Sequence, residues 1–153
     1  PTHKPPELPP DRVAEQRLRT HGLHPFSPWQ LLGAGSVGSQ TLTGIPVAHH
    51  IRHHSELSPR TRVWPFETGL TADPTRGSGS AADAIVIAEI WPSAIAFDHV
   101  DHVVKDARQV IALAHHLAGL DATGSLGPAF GLALDPATAR RVIDEEGWVL
   151  PLG

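Results

Sequence analysis

An α/β fold is predicted from this sequence, on three observations. Asp83-Ala84-Ile85-Val86-Ile87-Ala88-Glu89-Ile90 is a near-continuous apolar run whose β-branched residues and length suit a strand buried on both faces, as in the parallel region of a covered sheet. From Val104 to Leu117, the residues Ala107, Val110, Ile111, Ala114, Leu117 and Ala118 recur at three- and four-residue spacing, which predicts a helix with one apolar stripe. Asp135-Pro136 places a capping side chain before a proline at the first helical position, which opens a second helix through about Glu146.

The remaining elements are shorter. Residues 1–10 are proline-rich and read as an extended arm, leaving 11–153 as one α/β unit. Asp11 is positioned to cap a helix running to about Thr20, with Val13 and Leu18 as its apolar contacts and Gly22 as its stop. Trp29-Gln30-Leu31-Leu32 is a short apolar run before a glycine-rich segment. Thr41 to His54 is helical in part, with Gly44 and Pro46 expected to interrupt it. Arg62-Val63-Trp64-Pro65-Phe66 suits an edge strand ending at Glu67, because proline cannot donate within a central one. Thr71 to Ala82 reads as a surface loop, Pro92 stops the apolar run before it, and Gly119 is placed to end the main helix. Gly147 to Leu150 is a closing apolar strand or tail.

Bulk properties narrow the function classes. With 153 residues, the chain has the size of one domain with a real core. Hydrophobic content of 41% and charged content of 18% exclude wholesale disorder. The absence of cysteine excludes disulfides and thiolate metal sites and fits a reducing compartment. No apolar run reaches the roughly 20 residues of a membrane span, and no signal-peptide pattern opens the sequence, so a soluble cytoplasmic protein is expected. The absence of methionine and the Pro1-Thr2-His3 start are consistent with a processed end or a piece of something longer. A net charge of −4 makes a nucleic-acid partner an unexpected one.

Three constellations carry chemistry. Gly33-x-Gly35-x-x-Gly38, with Ser36 inside it, matches the dinucleotide fingerprint, in which a strand feeds a glycine turn and a helix N-terminus holds the pyrophosphate. Its leading strand is short and the acid about 20 residues on would be Glu56, so a nucleotide site competes with a tight turn that lets backbone pack closely or with an anion nest. The second is His49, His50, His53 and His54, two pairs at helical i,i+4 spacing that could share a metal or simply form a solvated helix end. His115 and His116 read as surface and partly buried helix positions. The third is Glu67, Glu89 and Asp106. An acid inside Ile-Val-Ile-Ala-Glu-Ile is costly unless paired, hydrogen-bonded or metal-bound, which singles out Glu89. Glu67 has Arg62 or Arg108 as alternative ion partners. Asp106 has a role in stabilising a first helical turn, or Lys105 as its partner. Three oxygens converging from different elements would suit a hard cation such as Mg²⁺ or Mn²⁺.

Pro28 to Pro46, Val63-Trp64-Pro65-Phe66-Glu67-Thr68-Gly69, Ala88-Glu89-Ile90-Trp91-Pro92-Ser93, Val104-Lys105-Asp106 and Glu146-Gly147-Trp148 form an ordered series. In that order they resemble the carboxy-terminal half of an uncharacterised bacterial family with a ribonuclease-H-like fold, some of whose members carry molybdopterin-guanine dinucleotide or cobalamin biosynthesis labels. The resemblance runs from about Glu7 onward. It implies a mixed sheet with flanking helices that lacks its first strands here, including an acid that helps anchor a metal pair. It places Glu67, Glu89 and Asp106 near the carboxyl ends of the sheet, with Mg²⁺ or Mn²⁺ acting on a phosphate-containing small molecule or nucleotide. Lys105 or Arg108 would then balance phosphate charge. A half-domain of this kind would also self-associate or need a missing amino-terminal half to complete its sheet.

Overall fold

A computed structural model describes residue 4 and residues 6–33, 36–79 and 83–151. The chain is mixed helix and strand. In order, α1 spans Val13–Thr20, α2 Val37–His53, β1 Thr61–Val63, β2 Ile85–Ile87 and β3 Glu89–Ile90. There follow α3 Lys105–Ala122, α4 Leu126–Phe130, α5 Pro136–Arg141, a π turn at Val142–Glu146 and β4 Val149–Leu150. Two parallel pairs make the sheets, β1 with β2 and β3 with β4.

The long apolar run is parallel strand, as its composition predicts, but it is not one strand buried on both faces. It breaks at Ala88 into β2, which is half-buried, and β3, which is exposed. The reason lies in its partners. β1 runs alongside only from Thr61 to Val63, and Trp64 adds one last bond to the Ile87 carbonyl at 2.9 Å. Pro65 has no amide with which to extend that ladder. The expected Arg62–Phe66 strand therefore ends at Val63, and the chain turns, with Glu67 N–H donating to the Val63 carbonyl at 2.8 Å. Beyond Ala88 the second strand finds β4 instead, with Glu89 opposite Val149 and Ile90 opposite Leu150.

The core forms where β4 enters. Val149 and Leu150 are buried with Trp148, Val142, Ala14, Trp64 and Phe130, and the Trp64 and Phe130 rings meet edge to face at 5.4 Å. The closing apolar segment is thus a central element of the core. Asp135 caps α5 as its sequence predicts, accepting from the Ala137 and Thr138 amides at 3.1 Å each. At α1 the N-cap is Arg12, one residue later than expected; Asp11 pairs with Arg19 instead at 3.2 Å.

Two helix expectations change. Pro46 and Gly44 do not interrupt α2, which is continuous from Val37 to His53. Proline leaves the Leu42 carbonyl without its helical donor, but residues 39–47 are exposed, so water can serve that oxygen. In α3, Gly119 does not end the helix; Thr123 caps it and Gly124 supplies the positive φ of +69°. The helix is also rotated from its predicted stripe. Ala112 and Leu113 are buried, while Val110 is 60% exposed and Ala114 is exposed. A hydrogen bond from Gln109 to Ser93 (2.8 Å) ties its first half to the turn after β3.

Candidate functional site

A cleft of about 720 Å³ opens along β3, between α1, the 24–26 loop and the first turns of α3. Glu89, Trp91, Lys105, Asp106, Gln109 and His24 are among its walls. The cleft runs along β3 from Glu89 through Ile90 and on to Trp91–Ser93, with Val149 of the paired β4 on the same wall. Lys105 and Asp106 reach the cleft because α3 begins there.

Glu89 is not an acid stranded in a core. Its side chain is 41% exposed, and both oxygens accept from Arg12, Oε2 from Nη1 at 2.8 Å and Oε1 from Nη2 at 2.9 Å. Arg12 also donates from Nε and Nη2 to Glu15, the latter at 2.6 Å, and from Nη1 to the Glu146 carbonyl at 3.1 Å. All five guanidinium protons are thereby used. Burial opposes the Arg12 charge, but the hydrogen bonds to Glu89 and Glu15 outweigh it and raise its pKa. Glu146 extends the network, accepting from the Val13 amide at 2.7 Å and from Arg141 at 2.9 Å.

Glu67 stands elsewhere. It pairs with neither Arg62 nor Arg108 but with Arg52 of α2, at 2.8 Å, and it accepts from the Val63 amide at 2.7 Å. The Arg52 hydrogen bond, with help from the Val63 amide, holds its carboxyl below the usual range. Asp106 is exposed in the first turn of α3. Its neighbour Lys105 places Nζ 5.9 Å from the centre of the Phe97 ring, and Arg108 places its guanidinium 5.5 Å from the same ring. The expected trio therefore divides: Glu89 and Asp106 line one cleft, and Glu67 serves a separate ion pair.

The glycine segment has a packing explanation. Trp29 to Leu32 forms no strand, and Leu32 is 81% exposed. Gly33 takes a φ of +100° and accepts from Ser36, while Gly35 lies outside the described residues. Gly38 is buried against the preceding loop, where a Cβ would lie 2.9 Å from the Gln30 carbonyl oxygen and 3.0 Å from that of Pro28. Its amide already donates to Gln30 at 3.2 Å, so this end of α2 is turned toward its own loop.

Arg12, Glu15, His24 and Gln109 were not evident as site residues. The Arg12-x-x-Glu15 spacing at a helix start was the one available signal; the 77-residue span from Arg12 to Glu89 leaves none. Among the described residues, no three His, Asp or Glu side chains are grouped to hold a metal, and no helix is long and apolar enough to cross a membrane. Comparison with known proteins gives no significant match to a family model, a curated protein or a solved structure.

Proposed function

We propose that this chain is the later part of a ribonuclease-H-like α/β domain whose cleft takes a small phosphate-bearing ligand together with its divalent cation. The observation that carries this reading is that Glu89, Asp106 and Lys105, from two separate elements, line one cleft along β3. A resident metal held by Glu67, Glu89 and Asp106 does not fit, since Glu67 is committed to Arg52 away from the cleft. A cation that arrives on phosphate does fit, because Mg²⁺ and Mn²⁺ commonly take one or two carboxylates, with phosphate oxygens and water completing the shell. Asp106 is the freer of the two acids to serve it, and Lys105 supplies positive charge at the same rim. The apolar walls from Leu18, Phe26 and Trp91 suit the flat, less polar part of a nucleotide-like ligand.

Calorimetric titration with Mn²⁺ and ADP tests this. Asp106→Asn should weaken binding about tenfold, the cost of one charge-assisted contact. No heat at millimolar ligand, or binding indifferent to Asp106→Asn, would remove the ligand role. A second reading, a non-catalytic fold relative, is favoured by one observation: Arg12 grips both oxygens of Glu89, as a structural ion pair would. That reading predicts that Glu89→Gln lowers stability and leaves no binding to lose.

A further inference from the structure

The histidines at the end of α2 are not used by the cleft, and their hydrogen bonds distinguish them. His49 and His53 lie one helical turn apart with rings stacked, 4.0 Å between centroids and 28° between planes. His53 Nδ1 is 2.9 Å from the His49 carbonyl oxygen. A carbonyl can only accept, so Nδ1 carries the proton and Nε2 is left with its lone pair available. A ring nitrogen bonded to a backbone carbonyl is also the usual outer-shell support of a metal-binding imidazole. His50 and His54 share the spacing and not the arrangement. Their rings meet at 73° and 5.8 Å, and His54 Nδ1 accepts from the Glu56 amide at 3.3 Å. Accepting at Nδ1 puts the proton of His54 on Nε2, which closes that nitrogen to a metal.

Two further features suit a cation. The carboxyl end of a helix carries partial negative charge, and the one guanidinium in the same turn, Arg52, is neutralised by Glu67. His49 and His53 are also exposed, so an ion reaches both rings, and His49 has only to turn out of the stack for its nitrogen to converge with His53 Nε2 while the His53 hydrogen bond stays in place.

We propose that His49 and His53 form a two-imidazole chelate for a borderline transition cation, Zn²⁺ or Ni²⁺, with its remaining positions open to water or to a group from another molecule. Imidazole nitrogen suits these cations, and hard Mg²⁺ avoids it. Tautomer selects His53 over His54 as the member held ready in its pair.

Zn²⁺ titrated into the full chain, followed by calorimetry and by imidazole nitrogen shifts, tests the assignment. His49→Ala and His53→Ala should each lower the affinity of the tightest site about 10²-fold, the advantage of a second ligand held nearby. His50→Ala, His54→Ala and the cleft variant Asp106→Asn should leave that site unchanged, with far-UV circular dichroism confirming that α2 persists. A loss of equal size at His50 or His54, or a wild-type affinity no better than that of the two single-histidine variants, would overturn it.

Discussion

Arg12 joins three parts of the chain through one planar group: the start of α1 through Glu15, the start of β3 through Glu89, and the end of the π turn through the Glu146 carbonyl. Glu15 is only 4% exposed, so its charge depends on that guanidinium. Removing one partner of such a pair leaves the other buried and uncompensated, which costs more than the pair contributes when intact. Arg12→Ala should therefore destabilise the protein by about 3 kcal/mol in urea denaturation, and Arg12→Lys should restore only part of it, since an ammonium has three donors and no fork. A loss below about 0.5 kcal/mol would mean that the network is a surface feature. From sequence alone Glu89 stands out as a charge in a buried strand, but β3 is exposed and the side chain is 41% accessible, so burial does not force its pairing. The partner was not identifiable, because nothing local relates residues 12 and 89.

Among the elements, α2 shows how one residue type serves opposite ends. Gly38 is held against the Gln30 and Pro28 carbonyls, and a Cβ would also lie 2.7 Å from Leu31 Cδ2. Backbone oxygens cannot step aside as a side chain can, so Gly38→Ala should destabilise by about 1–3 kcal/mol despite the better helix propensity of alanine. Gly44 meets nothing within 4 Å, on an exposed stretch of the same helix. Gly44→Ala should stabilise by about 0.5–1 kcal/mol. Thermal unfolding of the two variants checks both, and the same sign for both would refute the packing account of Gly38. The reading of Gly44 and Pro46 as breakers followed propensity correctly. What it lacked was the exposure that leaves water to satisfy the backbone. The α3 stripe fails for a different reason: hydrophobic spacing suggests which residues share a face, while the packing partners, which here take up Ala112 and Leu113, decide which face turns inward.

On the scale of the whole molecule, separate units are tied by polar links as well as by the core around Trp148. The Arg52–Glu67 pair joins α2 to the turn after β1. Its hydrogen bond holds the folded-state carboxyl of Glu67 below the ordinary value of 4.5, so its contribution is fully present above that pH. The contribution is lost as pH falls through the lower folded value. Comparing wild type with Glu67→Gln by denaturation from pH 7 to pH 3 should show a stability difference that closes in the acid range. A difference independent of pH would contradict the assignment. Asp135, held low by its hydrogen bonds to Thr138, adds acid sensitivity of the same sign in both proteins and cancels from the comparison.

Much of the secondary structure follows from the sequence, because its causes are local. The Asp135-Pro136 cap, the parallel character of the Ile-Val-Ile run, the long α3 and the apolar closing strand all rest on signals carried within a few residues. Tertiary structure alone decided the rest. It split the apolar run between two partners, since β1 ends at Val63 and β4 begins at Val149. It separated Glu67 from Glu89 and Asp106, and it paired Glu89 with Arg12 across 77 residues. Residue type establishes that a charge needs a partner. Only the folded chain determines which group comes within reach.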